Sequence, residues 1–260
     1  MVYLLDQFRQ EGPVRVTLLF CIKVVILVMT HINPFKYYKT SPEIIKLAIM
    51  YYVRFPLSLR NVEDILHERG IDISHESVRY WWTKLGHVLA KDLKKRRTHK
   101  PSQWRWHIDE VFVKINGELH YLWRAVDHEG TILDCYVTKR RDKKAAKKVL
   151  KKLVSRHGRS HEIVTDKLAS YKAAMRDLNM EHIQEIKQYK NNQCENSHLH
   201  FRRRERIMSR FRLMKSLQKF TAIQSQFQNH FNHQRHLETR SHFKTLRNNS
   251  LESWNNSCMA

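Results

Sequence analysis

Between residues 42 and 97 apolar residues recur every three or four positions, which predicts short helices. The first helix is predicted over 43–51. The second follows Ser58, whose hydroxyl can cap a helix, and ends at Gly70; the third follows Ser74. A helix, a glycine-containing turn and a second helix form a helix-turn-helix, although an ordinary three-helix bundle has the same pattern.

The third predicted helix begins with polar side chains that suit contact with DNA. In a helix-turn-helix, the start of the second helix of the pair lies in the major groove and reaches base edges. Basic residues between 91 and 97 would add contacts to phosphates. The predicted DNA contacts in this helix are His75, Ser77, Arg79 and Tyr80.

After residue 103 the pattern changes to the alternation that is typical of strands, with Asn116-Gly117 as a strong hairpin signal. The predicted elements are strands over 106–115, 119–126 and 131–137, a helix over 142–157, a strand ending at 166, a helix over 170–178, a weak strand over 182–186 and helical sequence to 236. This order is that of the RNase H-like fold, an α/β class with a mixed sheet and flanking helices. The apolar face of the last helical stretch, which includes Phe220 and Phe227, is predicted to be core.

These patterns divide the chain into four parts: an apolar extension over 1–32, a helix-turn-helix domain over 33–98, an RNase H-like catalytic domain over 99–236 and a polar C-terminal tail over 237–260. Within the extension, 17–29 is apolar except for Lys23, yet it is shorter than the roughly 20 residues of a membrane span. A signal-peptide core or an anchor is the alternative. We expect no membrane partner, and we expect a chain beginning near Asn33 to fold and bind DNA.

Charge points to a polyanionic partner. The 260 residues include 48 Lys and Arg against 25 Asp and Glu, a formal net charge of +23. Such a balance favours nucleic acid through counterion release, although a ribosomal or other basic protein would share it. The four cysteines form no C-x-x-C pair, so neither a zinc knot nor disulfides are implied, and a reducing cytoplasm is expected.

Three carboxylates in this strongly basic chain call for a functional explanation. Asp109 lies inside the first predicted strand, Asp166 ends the fourth, and Glu195 lies on a later helix just ahead of the cations Arg202 and Arg203. Acids on these elements of an RNase H-like fold meet at one edge of the sheet. Their oxygen atoms are the ligands that Mg²⁺ prefers, so together they predict a metal site for phosphoryl transfer on nucleic acid. Glu110 is left out, because it points to the other face of the strand.

Several blocks of sequence resemble the DDE transposases of bacterial insertion sequences, specifically the insertion-sequence-six family, over roughly residues 33–240. The blocks are Phe35-Lys36-Tyr37, residues 52–60, residues 104–110 around the first Asp, Thr165-Asp166-Lys167, and Tyr189-Lys190-Asn191-Asn192 with Glu195 and His198. Two features depart from the family pattern. Only 28 residues separate Asp166 from Glu195, and Ser197 stands where an acid is expected.

The resemblance implies a catalytic and metal-binding triad of Asp109, Asp166 and Glu195. It implies two Mg²⁺ ions, with Mn²⁺ able to substitute, that activate an attacking water or 3′-hydroxyl and stabilise the leaving oxygen. It further implies DNA contacts by Lys167, His198, Arg202 and Arg203.

The partners implied are double-stranded DNA, as transposon ends and target, and further copies of the chain on that DNA. The expected location is the nucleoid of a bacterial cytoplasm. Two alternatives remain: an RNase H-like structure-specific nuclease, and an inactive copy that only binds DNA.

Overall fold

The computed structural model describes residues 33–97, 101–186, 192–208, 211–233 and 238–258, without the side chains of residues 192 and 193. The apolar extension over 1–32, with its segment 17–29, lies outside these residues. Within the described part of the chain, no helix is both long and apolar enough to cross a membrane.

Three helices form the N-terminal part, as the hydrophobic spacing predicts. They are α1 (Pro42–Arg54), α2 (Leu59–His67) and α3 (His75–Lys95). Each begins at a serine whose hydroxyl accepts a hydrogen bond from a backbone N–H of the first turn, namely Ser41, Ser58 and Ser74. Gly70 supplies the positive φ of +73° in the turn between α2 and α3, a conformation that favours glycine.

A five-stranded mixed sheet follows. Its strands are β1 (Arg105–Ile115), β2 (Glu118–Asp127), β3 (Ile132–Thr138), β4 (Glu162–Val164) and β5 (Gln184–Glu185), in the spatial order β3-β2-β1-β4-β5. The first three strands are antiparallel, and β4 and β5 run parallel to β1. At the hairpin, Asn116 and Gly117 have φ values of 50° and 85°, as the sequence predicts. This connectivity confirms the predicted RNase H-like fold.

The described residues form five further α-helices: α4 (Lys143–His157), α5 (Ala169–Arg176), α6 (Asn192–Ile207), α7 (Met214–Phe231) and α8 (Arg240–Asn255). Helices α4 and α5 pack with β1 and β2 in one apolar layer, and α6 and α7 pack on the opposite face. The helical sequence predicted to residue 236 forms two separate helices, α6 and α7. The fourth strand ends at Val164, two residues before Asp166.

Helix α7 covers the exposed edge of the sheet. Gln218 donates to the carbonyl of Cys135 at 2.8 Å and accepts from the N–H of Val137 at 2.9 Å. Asn229 makes the same pair of bonds with the backbone of Ile132, at 2.9 and 2.8 Å. An edge strand with free N–H and C=O groups can pair with another chain, and these two amides satisfy such groups on β3.

The core of the N-terminal helices extends into the C-terminal half of the chain. Ile223, Phe227 and Phe231 of α7 lie in the same apolar cluster as α1, α2 and α3, which confirms their prediction as core. The predicted polar tail is wrong as a description of residues 240–255, because they form α8, whose Trp254 is buried in that cluster. Lys46 of α1, itself buried, donates to the carbonyl of Asn255 at 2.6 Å and so binds the C-terminal end of α8.

Candidate active site

Asp109 and Asp166 meet because of the parallel register of β1 and β4. His107 pairs with Val164, so continuing that register by two residues places Asp166 beside Asp109. Strand β4 has already ended at that point, so this edge of β1 is open there. Both carboxylates therefore lie at the end of β4, half-buried, where the sequence predicts that the acids meet.

Glu110 belongs to the same group of acids, although the metal site predicted from the sequence does not include it. Its side chain is buried on the opposite face of β1, where Arg141 also lies. One carboxylate oxygen from each of Asp109, Glu110 and Asp166 nevertheless falls within 4.8 Å of the others. The orientation of Glu110 is as predicted, but its exclusion from the candidate metal site is not supported.

A guanidinium holds two of these acids. Arg141 donates to Asp166 Oδ2 at 2.8 Å through Nη2 and to Glu110 Oε1 at 3.1 Å through Nε. The other oxygen of Glu110, Oε2, is buried and has no hydrogen-bond partner among the described residues. The hydroxyl of Tyr171 is also buried without such a partner, and the charges of the three acids act on it to raise its pKa further than burial alone. Arg141 and Tyr171 carry no motif that would have identified them from sequence.

Burial and the charges of neighbouring acids make Asp109 and Glu110 hard to ionise. Burial raises the pKa of Asp109 to about 6, and the negative charges of Asp166 and Glu195 act in the same direction. Burial likewise raises the pKa of Glu110 to about 7, against the opposing charge of Arg141. Carboxylates whose ionised forms are disfavoured in this way gain most from a cation placed between them.

Glu195 lies near the beginning of α6 with an exposed side chain. Its charge acts on Asp109, but the three acids that come within 4.8 Å of one another do not include it. The structure therefore brings Asp109 and Asp166 together closely and Glu195 to their vicinity. The predicted triad remains a prediction.

His198 contacts Asp109 rather than Glu195. Its Nδ1 lies 3.8 Å from Asp109 Oδ2, and its Nε2 lies 3.6 Å from the sulfur of Cys194. Burial, with the nearby charges of Arg124 and Arg202, lowers the pKa of His198 to about 3. The imidazole is therefore neutral near pH 7, and its contact with Asp109 is not an ion pair.

The predicted DNA contacts on α3 lie in the first turns of that helix. Arg79 and Tyr80 are exposed, and Ser77 is half-buried beside the cap of the helix. His75 is held by Glu63 of α2, with 2.8 Å between its Nδ1 and the carboxylate. Glu76 lies 3.0 Å from Arg79, so this arginine shares its charge with a neighbouring acid.

The basic residues of α6 differ widely in burial. Arg203 is exposed, and Arg202 is half-buried in an ion pair of 2.6 Å with Glu205. Arg204 is buried, donates to the carbonyl of Leu57 and lies over the ring of Tyr52. Lys167, beside Asp166, is exposed. Of these four cations, Arg204 is the one whose side chain is buried.

Comparisons with known proteins show the family of the chain. A family model described as a DDE domain matches residues 103–234, just over half of the chain. The transposase of the insertion sequence-like element IS431mec of Staphylococcus aureus is 37% identical over 143 residues, which are 55% of this chain and 63% of that relative. The transposase of the element IS257 in transposon Tn4003 of the same species is 36% identical over the same length. The chain thus spans less than two thirds of these relatives.

Among solved structures, the integrase catalytic core domain of HTLV-2 in complex with magnesium is 14% identical, with a TM-score of 0.39 over 51% of this chain and 88% of that one. The residues matched by the family model include Asp109, Asp166 and Glu195. The family implies a divalent metal ion, and the described residues contain an acidic cluster that fits one. The chain therefore belongs to the DDE transposases of bacterial insertion sequences, in the insertion-sequence-six family.

Proposed function

We propose that the protein is an enzyme of DNA transposition. It binds the terminal inverted repeats of an insertion sequence, nicks DNA at their ends and joins the freed 3′-hydroxyl to target DNA. The observation that carries this proposal is the meeting of Asp109 and Asp166 at the end of β4, with the charge of Glu195 acting on Asp109. In a chain of net charge +23, such a concentration of acids suits metal-dependent chemistry on a polyanion.

Asp109, Asp166 and Glu195 would hold the metal, which we propose to be Mg²⁺, as two ions, with Mn²⁺ able to substitute. The residues fit such ions, because their oxygen atoms are hard ligands and because Glu110 Oε2 is a buried acceptor without a hydrogen-bond donor among the described residues. Bound in pairs, such ions supply activation of the attacking oxygen and stabilisation of the leaving oxygen.

The other side chains of the site position the acids and the DNA. Arg141 fixes Asp166 and Glu110 through two hydrogen bonds. The neutral imidazole of His198 lies 3.8 Å from Asp109 and so packs beside it without adding charge. Lys167 and Arg202, beside the second Asp and on α6, are the cations from which we expect contacts to the phosphates that flank the scissile bond.

Recognition of the DNA ends is assigned to the start of α3, with Arg79 and Tyr80 exposed and His75 and Ser77 beside them. Since strand transfer joins two ends to one target, we expect several copies of the chain to assemble on DNA. The DNA substrate places the working protein at the bacterial nucleoid.

Supercoiled donor DNA carrying two inverted repeats tests this function. We expect nicked and joined products with Mg²⁺ and neither without it. Asp109→Asn keeps the size of the side chain and removes its charge, so it should abolish nicking and joining but leave gel-shift binding of the ends intact. Asp177→Asn, which removes an exposed acid paired with Lys143 and Lys147, is the matched control and should retain activity.

The products also distinguish the alternatives. Nicks without joints would indicate a structure-specific nuclease, and binding without nicks would indicate an inactive copy. Joining by Asp109→Asn at the level of the control would refute the proposed metal site.

A further inference from the structure

An open cavity of about 270 Å³ lies between the C-terminal end of α1, the middle of α6 and the last half of α7. Arg54 reaches it from α1, while His200, Arg203 and Arg204 reach it from α6. Helix α7 contributes the amide side chains of Gln224 and Gln228, and Asn232 follows just after its end. The cavity is separate from the acidic cluster, and neither the triad nor the proposed recognition helix accounts for it.

The cations around this cavity lack acidic partners. No carboxylate lines it, and among the described residues Arg54, Arg203 and Arg204 form no ion pair. Other arginines of the chain do pair with acids, as Arg96, Arg105, Arg141 and Arg202 show. Burial lowers the pKa of Arg54, and it lowers the pKa of Arg204 to about 10, so both remain charged at neutral pH. Arg204 is occupied by its contacts with Leu57 and Tyr52, so the guanidinium groups left for a ligand are those of Arg54 and Arg203. Two guanidinium groups without an acidic partner around one opening favour an anion there.

The rest of the wall is apolar and aromatic. The guanidinium of Arg54 lies 4.4 Å from the ring centre of Phe231 and 5.0 Å from that of Phe55, which is 37% exposed. The Oε1 atom of Gln224 is buried and has no hydrogen-bond partner among the described residues. Phosphate on guanidinium groups, a planar ring on aromatic side chains and a hydrogen bond from the base to an amide oxygen are contacts that proteins make with a nucleotide.

The size of the cavity agrees with such a ligand. Small-molecule sites typically measure roughly 300–1,000 Å³, and this cavity of about 270 Å³ lies just below that range. It therefore has room for one nucleotide at most and for no part of an intact duplex. Its position on α6 also fits. Arg203 follows Glu195 by eight residues, or about 12 Å along the helix axis at 1.5 Å per residue, so one strand could reach both.

We propose that this cavity binds one nucleotide of a DNA strand next to the strand end held at the acidic cluster, with its phosphate on Arg54, His200 and Arg203. This assignment rests on the proposed function, because it takes DNA as the substrate. It adds a contact that holds the strand by its phosphate and ring without reading base edges in a groove.

Three variants of the full chain test the proposal. Arg203→Gln removes a charge at the cavity, and Arg206→Gln removes the same charge from an exposed position on the same helix that does not line it. Asn232→Phe keeps every charge but fills the cavity from an exposed position after the end of α7. Circular dichroism and thermal melting would establish that all three fold as the parent does.

The affinity for a DNA end with a short single-stranded overhang is then measured by fluorescence anisotropy against salt. We expect Asn232→Phe to bind this DNA about tenfold more weakly than the parent does. For Arg203→Gln, the slope of log affinity against log salt concentration should be less steep by about 1. For Arg206→Gln, the change in this slope should be smaller. Normal binding by Asn232→Phe, or equal losses in the two arginine variants, would overturn the proposal.

Free ligands separate the possible sources of the anion. Thymidine 5′-monophosphate and inorganic phosphate are each added to the parent and to Asn232→Phe during thermal melting. A nucleotide site is supported if the mononucleotide raises the melting temperature of the parent and inorganic phosphate does not. The mononucleotide should then have no such effect on Asn232→Phe. If the mononucleotide and inorganic phosphate raise the melting temperature of the parent equally, the proposed contact to the ring of the base is overturned. The strand-transfer assay with Asp109→Asn does not depend on the cavity, so the proposed function can survive the failure of this inference.

Discussion

Arg141 donates a hydrogen bond of 2.8 Å to Asp166, and through the same guanidinium it also holds Glu110. Among the described residues, Arg141 is the one cation that forms hydrogen bonds with this group of acids, so it alone neutralises part of their charge. Arg141 lies in the loop between β3 and α4, so the bond also ties that loop to the end of β4.

Arg141→Gln should destabilise the metal-free protein and increase its response to Mg²⁺. Loss of the guanidinium leaves a buried carboxylate without its partner, which we expect to cost about 1–3 kcal/mol. Thermal melting with and without Mg²⁺ measures both effects. Arg140→Gln, which changes the exposed neighbour, is the control. An equal Mg²⁺-induced rise in melting temperature for Arg141→Gln and the control would contradict the prediction.

Glu110→Gln and Glu195→Gln should have different effects on catalysis. If Glu195 binds the metal in the active complex, Glu195→Gln should lose nicking and joining at every Mg²⁺ concentration. Glu110→Gln should keep activity but need roughly 10–100-fold more Mg²⁺, as expected for a residue that supports the ligands. Mg²⁺ titrations of strand transfer measure this difference. The reverse result would make Glu110 the third ligand and remove Glu195 from the triad.

Arg204→Gln should affect stability rather than DNA affinity. Arg204 is buried, donates to Leu57 and stacks on Tyr52, so its loss should cost about 1.5–3 kcal/mol of the free energy of unfolding. Urea unfolding measures this cost. The salt dependence of DNA binding should stay that of the parent. A flatter salt dependence in a folded Arg204→Gln protein would show that Arg204 reaches phosphates after all.

Arg79→Ala should weaken discrimination for the inverted repeat by roughly 1–3 kcal/mol, the worth of a good base contact. Its side chain is exposed in the first turns of α3 and pairs only with its neighbour Glu76 in the described structure. Gel shifts with specific and non-specific competitor DNA measure this quantity. Strand transfer on pre-nicked ends should persist. Unchanged discrimination would remove Arg79 from the recognition surface.

Local signals made much of this fold predictable from sequence. Serine caps mark where the first three helices begin, and Asn116-Gly117 marks the hairpin. The alternation of apolar residues gives β1, β2 and β3 within about two residues. These features depend on residues that are close together in the chain, which is why they can be read directly.

The parts that could not be predicted depend on contacts between distant residues. Arg141 meets Asp166 and Glu110 only after three strands and a loop are in place, and nothing in its own neighbourhood indicates this. Helix α8 has few apolar residues, so its sequence predicts a polar tail rather than a packed helix. Its docking relies on Trp254 and on Lys46, a lysine of α1 that binds carbonyl groups at the end of α8. The sequence of the short strand β4 does not indicate its register with β1.

Helix α7 is attached on two sides, to β3 by Gln218 and Asn229 and to the N-terminal helices by Ile223 and Phe227. A further bond of 2.9 Å joins Lys219 to the carbonyl of Thr83 on α3. Helix α3 and the sheet that carries the acidic cluster are thus joined through α7 into one packed frame. If α3 reads the repeat, the number of base pairs between the recognised sequence and the cleaved bond is set by the dimensions of this frame. Inserting even one base pair between them would rotate the scissile phosphate away from Asp109.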